Sequence, residues 1–276
     1  MKQVEDFATL ASAYEGVEQP ESFGSNGELE AYRESVLLKT DEQADFIERE
    51  LQRCAGSLIE VGCGNGRLAM ALAQRGAIDR GLGLDLSSSR IDFARAWASD
   101  LGLGESLSFE VDDATSRELG TDEHGLAVCI TGALGYLDAY VPGSSRRLLA
   151  HLRDSLTSGG LLVLELYPFP RLRRLLDDSD GHIRTWLELP AGDPWRFYLS
   201  DYRLEPGDVL VHGKTFVHRT DGSIDEGRCE RLVLHTPETI SQLLLECGFS
   251  VVRCFEGWSP HEYRDGELLV VTATAA

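Results

Sequence analysis

The chain has no apolar run of about 18 residues, so the sequence predicts no transmembrane helix. Residues 1–6 lack the basic and then apolar layout of a secretory signal. The six cysteines form no C-x-x-C pair and show no metal-ligand spacing, which disfavours a disulfide framework or a zinc site. We therefore expect a cytoplasmic protein without a bound metal, whose thiols are mostly buried in a reducing compartment.

Basic residues are scarce beside acidic ones. The 276-residue chain has 26 Lys and Arg against 46 Asp and Glu, a net charge of −20 at pH 7. Such a field repels a phosphate backbone, and the densest basic stretch, residues 171–174, is followed at once by three aspartates. We interpret that stretch as a solvated helix face. The composition predicts no nucleic-acid partner and no membrane partner, and it favours a small-molecule ligand; it leaves the oligomeric state open.

The most informative stretch is LIEVGCGNGR, residues 58–67. A short apolar run ends in the carboxylate of Glu60, and three glycines then occupy alternate positions. A second apolar run closes on Asp85. A strand, a glycine turn, a helix and a second strand that ends in an acid form the frame that binds adenosine-containing cofactors.

Strand and helix patterns alternate through the first part of the chain. Strands are predicted at 57–61, 81–86, 107–111, 126–131 and 161–166, and helices at 67–74, 88–100 and 144–156. This rhythm predicts a parallel sheet with helices on both faces. The run TDEQ, residues 40–43, is interpreted as a capping box that begins a helix ahead of the first strand.

The rhythm changes after residue 166. From 183 to 234, short alternating runs are separated by the turn signals Pro206-Gly207 and Asp221-Gly222, which predicts an antiparallel insertion of three or four strands. A helix and two strands follow. The predicted fold class is α/β: a Rossmann-like, doubly wound, mostly parallel seven-stranded sheet with an antiparallel β insertion. We assign residues 1–40 to a helical cap, 41–170 and 236–276 to the core, and 171–235 to the insertion.

The details of the glycine turn discriminate between cofactors. A dinucleotide fingerprint would need glycine where Arg67 stands, and Glu60 would place a negative charge beside a pyrophosphate. A carboxylate that ends a buried strand is better matched by an ammonium, which favours S-adenosylmethionine over a nicotinamide or flavin. Asp85 would then accept the ribose hydroxyls and Asp113 the adenine amino group, with the N–H of Ala114 near an adenine ring nitrogen. Asp112 competes for the adenine contact.

In these motifs the chain resembles the class I S-adenosylmethionine-dependent methyltransferases, and more closely the small-molecule type with an antiparallel insertion before the last helix. The resemblance is specific over residues 57–166 and looser from 183 to 276. It implies S-adenosylmethionine as cofactor and S-adenosylhomocysteine as product. The cofactor-binding residues it implies are Tyr14, Glu60, Gly62, Cys63, Gly64, Asp85, Leu86, Asp113, Ala114 and Thr131. For Tyr14, closure over the cofactor and a plain surface or packing role remain open.

The acceptor site is less defined by sequence. Tyr136, Tyr167 and Arg231 are candidates to contact the acceptor, although Arg231 is equally explained by an ion pair across the sheet. Tyr136, His235 and His261 are the candidates for a catalytic role. We expect transfer of a methyl group to nitrogen or oxygen of a small molecule by in-line displacement, in which alignment supplies much of the rate. The alternative is a protein that binds S-adenosylmethionine without transferring its methyl group.

Overall fold

The computed structural model describes residues 6–12, 18, 23–189 and 195–276. The helices there are α1 (Phe7–Ser12), α2 (Asn26–Leu51), α3 (Arg67–Gln74), α4 (Ser88–Asp100), α5 (Ala133–Tyr140), α6 (Ser144–Ser155), α7 (Phe169–Asp177) and α8 (Pro237–Glu246). The strands are β1 (Ser57–Val61), β2 (Arg80–Asp85), β3 (Leu107–Val111), β4 (His124–Cys129), β5 (Leu156–Leu166), β6 (His182–Glu188), β7 (Trp195–Glu205), β8 (Val209–His218), β9 (Ile224–Val233), β10 (Phe249–Glu256) and β11 (Leu269–Ala275).

Seven strands form a large sheet in the order β10-β11-β5-β4-β1-β2-β3. Neighbouring strands run parallel except where β11 pairs with β5 and with β10. The strand order reverses between β1 and β4, which creates a crevice at the carboxyl ends of these strands. The predicted α/β class and mostly parallel seven-stranded sheet are confirmed.

Helices cover both faces of the large sheet. On one face, α2, α3 and α4 bury an apolar cluster that includes Phe46, Leu68 and Trp97. On the other face, α5, α6 and α8 bury a second cluster that includes Leu148 and Leu244. Two-sided burial explains why the central strands are continuous apolar runs, because neither face of such a strand meets water.

A separate small sheet, defined as β6 to β9, is antiparallel throughout. The antiparallel strands predicted between residues 183 and 234 are confirmed. Leu210 and Leu232 of this small sheet are buried against Tyr136 and Tyr140 of α5. The packing brings β8 and β9 to the crevice of the large sheet. Among the described residues, no helix has both the length and the apolar character needed to cross a membrane.

The capping box predicted at residue 40 is wrong. Helix α2 begins at Asn26, capped by the Ser25 hydroxyl that accepts from the N–H of Glu28, and continues through residue 40. The Thr40 hydroxyl donates to the Val36 carbonyl at 2.7 Å inside the helix and accepts from Arg67 at 2.6 Å. Residue 40, the predicted end of the helical cap, therefore lies inside a continuous helix.

The expectation that most thiols are buried is also wrong. Cys63 and Cys129 are buried, Cys247 and Cys254 are partly exposed, and the other two, Cys54 and Cys229, are exposed. The error has a physical origin, because the local sequence around a thiol does not report whether distant parts of the fold cover it.

Candidate functional site

The glycine turn between β1 and α3 is held by backbone hydrogen bonds to β2. The N–H groups of Gly62 and Cys63 donate to the Leu84 carbonyl at 2.8 and 3.1 Å. Gly66 caps α3 with a φ of 75°, and a Cβ there would lie 2.6 Å from the Phe109 ring. The side chain of Cys63 packs into the core beneath the turn. Glycine is required at Gly66 both by its left-handed conformation and by this close approach.

Glu60, the penultimate residue of β1, carries a buried carboxyl group with one oxygen that lacks a hydrogen-bond donor among the described residues. Its exposure is 2%, and within the described structure its Oε2 atom has no hydrogen-bond partner. Burial raises the pKa of Glu60 to about 7, and the attraction of the Arg67 guanidinium offsets only part of that rise. A ligand that brings a positively charged donor to this position would satisfy Oε2 and favour the ionised form of the carboxyl.

A second buried carboxylate, Glu165 at the end of β5, was missed by the sequence reasoning. It accepts from the Thr131 N–H at 3.1 Å, the Trp258 indole N–H at 3.1 Å and the Gln43 amide at 3.2 Å. Arg67 attracts both Glu60 and Glu165, so one guanidinium faces two buried carboxyls. The signal was available, because an apolar run that ends in a carboxylate occurs at β5 as it does at β1.

Asp85 ends β2 and is fixed by backbone donors. Its Oδ2 accepts from the Gly64 N–H at 2.8 Å and its Oδ1 from the Ser87 N–H at 2.9 Å. These bonds hold the carboxylate beside the glycine turn, where it lines the cavity described below. A carboxylate has about four acceptor positions, so two backbone bonds leave capacity for hydroxyl donors of a ligand.

Two aspartates follow β3 and both line the same cavity. Asp112 is engaged at both oxygens, by the N–H of Asp113 and by the Arg117 guanidinium. Asp113 accepts the N–H and the hydroxyl of Thr115 at its Oδ1, at 2.8 and 2.7 Å. Within the described part of the chain, its Oδ2 has no such partner. The geometry therefore favours Asp113 over Asp112 as an acceptor for a ligand amino group.

A cavity of about 340 Å³ opens at the carboxyl ends of β1 to β4. At one end it is bounded by the turn and by the acids that follow β2 and β3. At the other end it reaches α5, the end of β5 and the small sheet. Of the residues predicted to bind cofactor or acceptor, those that line it are Gly62, Asp85, Leu86, Asp113, Ala114, Thr131, Tyr136 and Tyr167. The volume lies within the range of small-molecule sites.

The end of the cavity beneath the small sheet contains a polar cluster of which the sequence reasoning identified only Tyr136. The Tyr136 hydroxyl donates to Glu230 Oε2 at 2.6 Å, and the ammonium of Lys214 binds the other oxygen, Oε1. Glu230 is only 1% exposed, whereas Tyr136 and Lys214 line the cavity. We name these three residues the Tyr136–Glu230–Lys214 cluster. No local motif marks it, because its members come from α5, β9 and β8.

Three further candidates, His235, His261 and Arg231, do not line the cavity. The backbone of His235 forms a β-bridge with that of Pro168, and burial lowers the pKa of the His235 imidazole. His261 is exposed in the loop between β10 and β11. Arg231 of β9 bonds Glu205 of β7 at 3.4 Å, which is the ion pair across the small sheet. Tyr14 lies outside the described residues.

Residues 58–160 match a family model described as a methyltransferase domain. A protein of Geobacillus sp. (strain WCH70), to which a methyltransferase function is provisionally assigned, is 25% identical over 219 residues, which cover 77% of this chain and 83% of the relative. The segment matched by the family model contains the glycine turn, Asp85 and Asp113.

Solved structures share the fold. The CcbJ methyltransferase from Streptomyces caelestis superposes with a TM-score of 0.72 at 20% identity, covering 86% of this chain and 90% of its own. The amino pentose methyltransferase CalS10 from Micromonospora echinaspora, solved with S-adenosylmethionine bound, gives 0.67 at 20% identity, covering 91% and 98%. At this identity the likeness establishes the architecture of the chain.

Proposed function

The chain carries a class I S-adenosylmethionine-dependent methyltransferase domain, and we propose that it transfers the methyl group to nitrogen or oxygen of a small-molecule acceptor held beneath the small sheet. One observation carries this proposal. A single cavity extends from Asp85 and Asp113 to Tyr136, Tyr167 and Lys214, so it has room for a nucleoside at one end and a second molecule at the other.

The residues present fit the cofactor at its amino-acid end. Within the part of the chain that the structure describes, the Oε2 atom of Glu60 lacks a hydrogen-bond donor, and the single guanidinium of Arg67 faces the two carboxyls of Glu60 and Glu165. An α-ammonium group would supply both the missing donor and the missing positive charge. A nicotinamide dinucleotide would instead place a negatively charged pyrophosphate against this buried carboxyl. Electrostatics in a buried site therefore select the cationic ligand.

We assign the remaining cofactor contacts by donor and acceptor chemistry. Asp85, held by Gly64 and Ser87, accepts the ribose hydroxyls. The partner-less Oδ2 of Asp113 accepts the adenine amino group, and the N–H of Ala114 faces an adenine ring nitrogen. The bound cofactor supplies an electrophilic methyl on a sulfonium: the acceptor forms a bond to that carbon, the carbon–sulfur bond breaks, and its electron pair stays on sulfur. The protein's contribution is alignment and exclusion of water.

The acceptor class to test first is a small amine. CalS10, which shares the fold over 91% of this chain, acts on an amino pentose. The walls near the transfer position combine aromatic rings with one ammonium, which suits a polyhydroxylated ring better than a purely apolar molecule. Tyr136 and Tyr167 would pack on such a ring, and polar groups at the cavity end would orient it.

The decisive experiment separates binding from transfer. Isothermal titration with S-adenosylhomocysteine measures cofactor binding, and incubation with trideuteromethyl-labelled S-adenosylmethionine and a panel of amino sugars, phenols and small amines measures transfer by mass spectrometry. We expect micromolar binding and a labelled product from at least one amine or hydroxyl compound. Tight binding without any labelled product, in the panel or in a total metabolite extract, would contradict transfer and favour the non-transferring alternative.

A further inference from the structure

Lys214 is exceptional in this chain. The sequence contains three lysines among its 26 basic residues, and arginine supplies almost every ion pair of the described structure. Lys214 nevertheless lines the cavity, and its partner Glu230 is almost completely buried behind it. A lysine ammonium is a compact charge that fits a single carboxylate oxygen, whereas arginine would engage both. The arrangement leaves Glu230 Oε2 available for Tyr136.

A buried ion pair needs an explanation beyond stability. Placing a carboxylate at 1% exposure is costly, and apolar residues of similar volume often stabilise a fold as well or better. The neighbouring strand positions Leu210 and Leu232 are filled by such apolar residues. Glu230 is therefore set in a part of the small sheet where an apolar core was available, and Tyr136 and Lys214, which bind it, line the cavity.

We propose that the Tyr136–Glu230–Lys214 cluster is the proton-accepting site of the acceptor pocket, for acceptors that present a neutral hydroxyl or amine. Tyr136 is the group that contacts the acceptor. Glu230 acts through Tyr136, and Lys214 stabilises the carboxylate in its ionised form. The inference rests on the proposed function, and it deepens that function by naming residues for the proton that methyl transfer must remove.

The direction of the hydrogen bonds supports this assignment. Tyr136 lines the cavity and its O–H donates to Glu230 at 2.6 Å, so the phenol connects the cavity to the buried carboxylate in the direction that a proton must take. As the acceptor oxygen or nitrogen bonds to the methyl carbon, its proton passes to the Tyr136 oxygen, and the original phenol proton passes to Glu230. The carboxyl becomes neutral while the thioether leaves neutral, so charge and protons balance. A positioned base of this kind contributes about 10²–10⁴-fold to the rate.

Other titratable groups beneath the small sheet do not fit this role. His212 bonds the Tyr198 and Ser200 hydroxyls through Nε2, and burial lowers its pKa to about 4. Its ring stacks on Tyr202 at 4.1 Å between centroids, and it does not line the cavity. Burial also raises the pKa of Tyr167, so its phenol remains protonated. Beneath the small sheet, the cluster brings a carboxylate to the hydroxyl of the cavity-lining Tyr136.

The test uses the full chain and conservative variants. Tyr136→Phe removes one hydroxyl and keeps the ring. Glu230→Gln keeps shape and hydrogen-bonding capacity but cannot take up the proton, while Glu230→Asp keeps the charge and shortens the side chain. Tyr198→Phe is the matched control, because it also removes a hydrogen-bonded hydroxyl from the small sheet but does not border the cavity.

The readouts are single-turnover rate, the Kd for S-adenosylhomocysteine and the chemical shift of Tyr136 in protein labelled with [13Cζ]tyrosine. With a panel member methylated by the parent, we expect Tyr136→Phe and Glu230→Gln to slow turnover at least 100-fold while the Kd changes less than threefold. Glu230→Asp should retain more activity than Glu230→Gln, the reverse of the order for a purely structural pair. The Tyr136 resonance should move in Glu230→Gln and stay in place in Tyr198→Phe.

The outcomes separate the two proposals. No methylated product from the parent protein overturns the proposed function. Product from the parent with Glu230→Gln within threefold of it, or with Glu230→Gln more active than Glu230→Asp, overturns the proton-accepting role alone. An unmoved Tyr136 resonance in Glu230→Gln also overturns it, and this readout needs no acceptor.

Discussion

The carboxylate of Glu165, at the end of β5, accepts a 3.1 Å hydrogen bond from the backbone N–H of Thr131, which follows β4. Thr131 has a φ of 56°, a left-handed conformation that is unfavourable for a β-branched residue. The same carboxylate holds the indole N–H of Trp258 at 3.1 Å. One buried side chain thus fixes the loop that borders the cavity and ties it to the loop that follows β10.

Replacing Glu165 by alanine should destabilise the fold by about 3–5 kcal/mol, because Thr131, Trp258 and Gln43 lose a buried acceptor and Arg67 loses a charge partner. Urea unfolding followed by circular dichroism measures the change. Glu118→Ala, at an exposed position, is the control and should stay within about 0.5 kcal/mol of the parent. A loss below about 1 kcal/mol for Glu165→Ala would contradict the bridging role.

Cofactor affinity should depend on pH through Glu60. The carboxyl, whose pKa burial raises to about 7, must ionise to bind an ammonium, so binding below pH 7 releases a proton. The Kd for S-adenosylhomocysteine should therefore fall as pH rises from 5.5 to 7.5, by up to about tenfold per unit at the acid end. Titrations in buffers of different ionisation enthalpy measure the released proton directly.

Glu60→Gln isolates that group. The amide keeps the shape but supplies no charge, so we expect weaker binding at pH 7.5 and a nearly flat pH profile. A variant that retains the slope of the parent would show that another group titrates, and the assignment of the ammonium contact to Glu60 would be withdrawn.

Asp85→Asn should weaken binding of S-adenosylhomocysteine by about 10–100-fold. Hydrogen bonds to a charged group contribute about 1.5–3 kcal/mol. In the asparagine variant the charge is lost, and the NH2 group, which only donates, would face either the Gly64 N–H or a ribose hydroxyl. Calorimetric titration measures the loss. Asp92→Asn, an exposed acid on α4 that pairs with Arg95, is the matched control and should bind like the parent. Equal affinities for parent and Asp85→Asn would remove the ribose assignment.

The glycine turn can be tested by two alanine substitutions with the same backbone penalty. Gly66 and Gly76 have φ of 75° and 71°, but a Cβ on Gly66 meets the Phe109 ring at 2.6 Å whereas one on Gly76 meets open space. Gly76→Ala should cost about 1 kcal/mol of unfolding free energy. Gly66→Ala should cost about 1–3 kcal/mol more from overpacking. Urea unfolding of both variants measures the difference in unfolding free energy. Similar losses of stability would mean that the Phe109 ring moves aside to admit the added methyl group.

Local sequence motifs predicted much of the large sheet. The acids and glycines of the turn act over a few residues, so their spacing alone predicts the strand, the turn and the helix that begins at residue 67. Thr40 shows where this reasoning fails. Its polar neighbours are typical of a helix start, yet burial against Arg67 keeps it inside α2, and burial is set by residues far along the chain.

The acceptor end of the site was predicted only in part, for a related reason. Tyr136 follows a strand end and was found from that position, but the residues that give it chemical character come from elsewhere in the chain. Lys214 and Glu230 face each other across paired strands, at positions that β8 and β9 define only once their register is known: Lys214 is opposite Arg228, and Glu230 is opposite His212. The spacing of residues in the sequence does not predict diagonal neighbours such as Lys214 and Glu230.

The division of the cavity wall between two sheets has a practical consequence. Asp85 and Asp113 line the cavity from the carboxyl ends of strands of the large sheet, while Lys214 lines it from a hairpin of the small sheet, residues 209–233. Exchanging that hairpin for its counterpart from a relative would reshape one compartment and leave nucleoside recognition in place. Chimeras of this kind offer a route to new ligand preference without rebuilding the part of the cavity that we propose binds the nucleoside.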